Sequence, residues 1–144
     1  APSHSQFLDY HQLQGTRDYS AFLSIPKTIQ FLHENDWREV AADCREVAHS
    51  NYLRFCDLLK SKPLCPVTDE FLGQMCCIPI TTSQPEKLQQ VLFEKYKIDI
   101  PVMRQGNLLF TRYSIQAFNT QQDLDKLYNA LTEIIAEGDL INAP

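Results

Sequence analysis

The segment IDIPVMRQGNLLFTRYSIQAFNT, residues 98–120, decides how this chain folds. Two apolar runs, IDIPV and NLLFTRYSIQ, are joined through RQGN, and a glycine between such runs marks a tight turn between two strands. Side chains alternate along a strand, so Leu108, Phe110, Arg112 and Ser114 share one side, with Leu109, Thr111 and Tyr113 on the other. Asn119 and Thr120 then read as caps: Thr120 stands three residues before Asp123, the spacing of a capping box. Behind it Leu124, Leu127, Leu131, Ile134 and Ile135 recur at helical spacing.

Upstream, SQPEKLQQVLFEKY (residues 83–96) has Pro85 at a first-turn position and Glu86 near the positive helix end. Leu88, Val91 and Leu92 make its inner stripe. GQMCCIPI (residues 73–80) is a short apolar run that predicts a buried strand. SKPLCPVT (residues 61–68) carries two prolines and ends whatever helix precedes it. Before it, Asp36 is expected to cap a helix running to about Lys62, with Val40, Cys44, Val47, Ala48, Leu53, Phe55, Cys56, Leu58 and Leu59 on one broad face. A shorter helix is expected to begin near Tyr19, capped by Asp18, with Phe22, Leu23, Ile25, Ile29 and Leu32 spaced along it. Pro26 should kink or restart that helix, because it lacks an amide donor. The first 14 residues show no period and are expected to be an extended lead-in, with Phe7, Leu8, Tyr10 and Leu13 loosely apolar.

The order helix, helix, strand, helix, strand, strand, helix predicts an α+β fold: a small sheet of about three strands, mainly antiparallel, with helices on one face. With 144 residues, the chain can build a core of its own. A net charge of -5 excludes the basic footprint of a nucleic-acid binder. No apolar run reaches the roughly 18 residues of a membrane span, and no basic-then-apolar signal peptide opens the chain. The first residue is Ala1 rather than Met, which suggests a trimmed product or part of something longer. Cys44, Cys56, Cys65, Cys76 and Cys77 form an odd set without a CxxC pair, and no two of the four histidines stand at metal-ligand spacing. Reduced, mostly buried thiols in a cytoplasmic protein are the expectation.

Two places could carry chemistry. In QGTRD (residues 14–18), Gly15 lets the backbone approach a ligand closely, and Thr16 offers a hydroxyl and an amide where a helix opens. The same residues also suit a plain turn and helix start. Arg112 shares its strand side with apolar residues. Either its guanidinium fork grips a carboxylate, or it extends from an edge strand into solvent.

Taken together, QGTRDYSAFLSIPKTIQFL and FTRYSIQAFNTQQDLDKL, with GQMCCIPI between them, resemble the class V aminotransferases, pyridoxal-phosphate enzymes of fold type I. The likeness is to the isopenicillin-N-epimerase-like branch. It implies that the chain is a C-terminal portion, residues 1–30 finishing the large cofactor domain with a connecting helix and residues 31–144 forming the small domain. It further implies that Gly15 and Thr16 contact the cofactor phosphate across a homodimer interface, and that Arg112 binds the α-carboxylate of a small amino-acid substrate. The Schiff-base lysine, the ring-stacking aromatic residue and the partner of the pyridine nitrogen would all lie upstream. The first lysine here is Lys27, already beyond the Gly-Thr pair, so the chain alone is expected to be inactive and to need the missing N-terminal portion as its partner. KYKIDIPVMRQGN lacks the reactive cysteine of the family's desulfurases, which leaves a desulfurase or lyase-type relative the weaker reading. A non-catalytic dimerisation or partner-binding module derived from the same fold is the alternative of a different class.

Overall fold

The computed structural model describes residues 4–12 and 15–141. The elements run α1 (Gln6–Gln12), α2 (Ser20–Glu34), α3 (Trp37–Leu58), β1 (Met75–Pro79), α4 (Pro85–Glu94), β2 (Val102–Gln105), β3 (Leu108–Ser114) and α5 (Gln121–Glu137). They fall into two compact units, Ala1–Trp37 and Arg38–Pro144.

In the first unit, α1 replaces the expected extended lead-in. Ser5 starts it, its Oγ accepting the Leu8 N–H at 3.4 Å, so one of the orphan amides of the first turn is met by a side chain. Leu13 lies outside the described residues. Helix α2 begins one residue later than expected, after Tyr19. Asp18 still secures its entrance: one carboxylate oxygen accepts the Ser20 N–H and the other the Ser20 hydroxyl, both at 2.8 Å. Pro26 lies inside α2 and does not restart it, since one lost amide bond leaves the other turns of a 15-residue helix in place. Neither helix of this unit buries a single residue. Phe22, Ile25 and Ile29 line one side of α2, and Leu23 and Phe31 stand off that stripe, so the helix is apolar on more than one side.

The second unit is built on a three-stranded sheet of order β1-β3-β2, antiparallel throughout. This is the α+β arrangement the sequence predicts. Its hairpin turns at Gly106, where φ is +57°, a conformation without penalty only for glycine. Strand β2 sits further along the chain than the run IDIPV. Lys97 adopts φ +57°, and Pro101 has no amide to give a ladder, so residues 98–101 form a loop whose Pro101 carbonyl accepts the Arg112 N–H and the Thr111 hydroxyl.

One sheet face carries Cys76, Ile78, Thr111 and Tyr113, all buried against α3, α4 and α5. Fully enclosed residues such as Ile78, Leu88 and Leu131 stabilise the unit by about 1.5–3 kcal/mol each. Strand β1 is an edge strand with alternating burial, not the wholly buried strand expected, because only one face of the sheet is covered by helices. Helix α3 ends at Leu58, short of Lys62: Lys60 takes φ +52° and the Ser61 N–H reaches back to the Cys56 carbonyl, closing the helix before the prolines. Asp36 also has positive φ (+46°) and is a turn residue rather than a side-chain cap. Within α3 the inner face includes Asn51 and Tyr52, while Leu53, expected inside, is 49% exposed. Helices α4 and α5 match their expected starts, and the Thr120–Asp123 capping box is formed.

Candidate functional site

The sheet's second face is open, and Arg112 lies on it. The strand alternation holds: Arg112 shares this side with Leu108, Phe110 and Ser114, and register adds Met75, Cys77 and Pro79 from β1 and Met103 and Gln105 from β2. The apolar company of Arg112 is therefore not core. Thr111 and Tyr113 point inward to the core, whereas Met75 and Leu108 are 50% and 52% exposed. An antiparallel sheet normally turns a polar face to water. This one presents mostly sulfur and hydrocarbon, with Ser114 and Gln105, around a single guanidinium, which makes no hydrogen bond or ion pair with any described residue. Beyond Thr111, β2 no longer pairs with β3. An open cleft of about 340 Å³ lies there, lined among others by Arg112, Ser114, Asp99, Asn119 and Asp123.

Several polar contacts hold this cleft's frame. Gln74, in the GQM segment, donates to the Ile115 carbonyl at 2.7 Å while its own carbonyl accepts the Ile115 N–H at 2.8 Å, fixing the end of β3. Asn119 accepts the Gln116 N–H at 2.9 Å and Asp123 accepts the Thr120 N–H at 2.8 Å, so both caps are structural, as expected.

Gly15 and Thr16 belong to the first unit and Arg112 to the second, and each is described in its own unit. Gly15 takes φ +72°, the left-handed conformation that favours glycine, and a Cβ there would meet nothing within 4 Å. Thr16 is exposed and its hydroxyl bonds to no described residue. The entrance of α2 is a poorer anion seat than the sequence suggests. Asp18 already occupies it, and its two bonds from Ser20, backbone first, hold its carboxyl below the usual range. Any phosphate here is left to the Gly15–Thr16 backbone and hydroxyl.

No protein family model matches the chain. Among curated proteins, an isopenicillin N epimerase of Amycolatopsis lactamdurans is 25% identical over 124 residues, 85% of this chain and 31% of its own length. An isopenicillin N epimerase of Streptomyces clavuligerus is 27% identical over 128 residues, 88% of this chain and 32% of its own length. The chain resembles isopenicillin N epimerases. It spans about a third of the length of these relatives, and the match falls in their C-terminal part.

Lys27, the first lysine, lies in α2 and its Nζ donates to Gln30 at 3.1 Å. Sequence reasoning missed the polar clasp between α3 and α5. There Asn51 and Gln121 exchange amide bonds, and Arg54 pairs with Asp125 while lying 3.9 Å from the Tyr128 ring centre. It also missed His49, whose Nε2 lies 3.2 and 3.1 Å from the Leu72 and Gly73 carbonyls and therefore carries the proton. These contacts join residues 23 to 74 positions apart, so local pattern could not show them. No helix among the described residues is long and apolar enough to cross a membrane.

Proposed function

We propose that this chain is the C-terminal portion of a pyridoxal-phosphate-dependent amino-acid epimerase or aminotransferase of the isopenicillin-N-epimerase-like kind. The observation that carries the reading is Arg112, a cation without a bonding partner among the described residues, on an apolar sheet face. A planar fork in such a place recognises a carboxylate through two parallel bonds, and the low polarity around it strengthens them. Asp99 and Asp123 line the same cleft, which favours a singly charged carboxylate over a phosphate dianion.

In this reading Arg112 orients the α-carboxylate of a small amino acid, so that one bond at the α-carbon is held for proton removal. Gly15 and Thr16 hold the cofactor phosphate, Gly15 through a backbone that no side chain shields and Thr16 through its hydroxyl. When bound, the pyridoxal ring supplies an electron-withdrawing group that stabilises charge at the substrate α-carbon. The lysine anchor comes from the N-terminal cofactor-domain portion, and the working form is a homodimer. The five free cysteines accord with a reducing cytoplasmic setting.

The test is Arg112→Leu in the complete enzyme. KM for the amino acid should rise about 10- to 100-fold, the worth of a charge-assisted bond of about 1.5–3 kcal/mol, with affinity for cofactor phosphate unchanged. An unaltered KM would rule out the carboxylate role.

A further inference from the structure

His49 of α3 faces oxygen on both sides of its ring. Nε2 lies 3.2 and 3.1 Å from the Leu72 and Gly73 carbonyls, and Nδ1 lies 3.6 Å from a carboxylate oxygen of Asp69. A neutral imidazole has one donor and one acceptor: it can serve the carbonyls, but then turns a lone pair toward Asp69. An imidazolium has two donors and suits all three oxygens. The His49 side chain is 16% exposed and that of Asp69 76%, so the carbonyl half of the arrangement is sheltered and the carboxylate half is open to water.

The three oxygens belong to one turn. The Thr68 carbonyl accepts the Phe71 and Leu72 N–H groups at 3.0 and 2.9 Å, so Asp69 stands where the turn opens and Gly73 where it ends. Gln74 follows at once, and it fixes the end of β3 through its two bonds with Ile115. Arg45 and Glu46, both from α3, line an open cleft of about 330 Å³ together with His49 and Asp69. Arg45 disfavours the charged ring and Glu46 favours it, while Asp69 is the acid that the turn itself brings to Nδ1.

We propose that His49 is a proton-operated latch on the segment leading into β1. Protonated, it ties both ends of the turn 69–73 to α3. When the Nδ1 proton leaves, Asp69 is released and the two carbonyls keep only neutral bonds, roughly half as strong as charge-assisted ones. The support of Gln74, and with it the end of β3 beyond Arg112, loosens as pH rises. The latch does not depend on what Arg112 binds.

Nuclear magnetic resonance of the 144-residue chain, from about pH 5 to 8 where imidazoles change charge, tests it. The ring nitrogen shifts of His49 should show both nitrogens protonated at the acidic end and Nε2 alone at the alkaline end. The Asp69 carboxylate carbon should move with the same midpoint, although carboxylates ordinarily titrate well below this range. The Gln74 and Ile115 amides should follow. In His49→Gln, which removes the titrating ring and keeps a donor for the carbonyls, these responses should vanish. Asp69→Asn changes an exposed side chain and leaves the fold intact. It should lower exchange protection of the Phe71 and Leu72 amides about two- to fivefold at the acidic end, the worth of an exposed ion pair, and not at all at the alkaline end. A neutral ring protonated on Nδ1, a stationary Asp69 carbon, unmoved Gln74 and Ile115 amides, or protection in Asp69→Asn equal to that of the unsubstituted chain at the acidic end each overturn the proposal.

Discussion

Arg112 and Tyr113 are adjacent in sequence and on opposite faces of β3, so their substitutions should separate binding from stability. Tyr113 is 6% exposed, its ring centre 5.6 Å from that of Phe55, and its hydroxyl donates to the Ala48 carbonyl in α3. Tyr113→Phe keeps the ring and its aromatic contact, worth about 0.5–1.5 kcal/mol, and removes only the hydroxyl. The Ala48 carbonyl is not orphaned, because the helix ladder and the Cys76 thiol still engage it. The loss is therefore one neutral hydrogen bond, about 1 kcal/mol, rather than the 3 kcal/mol or more of an unsatisfied buried group or an emptied cavity. For a domain of this size that lowers Tm by about 3–5 °C. Arg112→Leu removes no side-chain hydrogen bond or ion pair with a described residue and should stay within about 0.5 kcal/mol of the unsubstituted chain. Urea and thermal unfolding followed by circular dichroism would measure both. A loss above about 3 kcal/mol in Tyr113→Phe, or an equal loss in Arg112→Leu, would refute the division of β3 into a core face and an open face.

Two further outcomes follow from the same contacts. Burial pushes Tyr52 up to about 12 and Tyr113 higher still, so the folded chain holds phenol protons that the unfolded chain releases from about pH 10. Stability from this source is complete below pH 10 and falls as pH rises above it. Urea midpoints measured from pH 8 to 11 should decline at the alkaline end, with a smaller decline in Tyr113→Phe. Thr120→Ala breaks the capping box that opens α5, and should cost about 1 kcal/mol in urea unfolding while leaving the far-ultraviolet helix signal intact; a neutral substitution would mean the cap does not form in solution.

Much of the second unit was legible because its signals are local. Pro85 and the Thr120–Asp123 box announce α4 and α5 within one turn, and Gly106 announces the hairpin, since each solves a backbone problem where it stands. Strand alternation grouped Arg112 with Leu108, Phe110 and Ser114 correctly, but could not say whether that group faced core or solvent. The answer depends on which side α3 packs, and Tyr113 meeting Ala48 is a contact across 65 positions. Leu53 misled for the same reason: it is apolar, yet it sits on the turn of α3 that Asn51 and Tyr52 rotate away from the core.

The glycine-threonine corner of the first unit and the strand position of Arg112 in the second were thus written in the sequence, because period and turn chemistry act over a few residues. The helix Gln6–Gln12 was not legible there, since no apolar period marks it and only a side-chain bond at Ser5 opens it. Tertiary structure alone decided that Cys77 lies beside Arg112 while Cys76 is sealed within, since strand register follows from the packing of a whole face and a shift of one residue would exchange the two thiols.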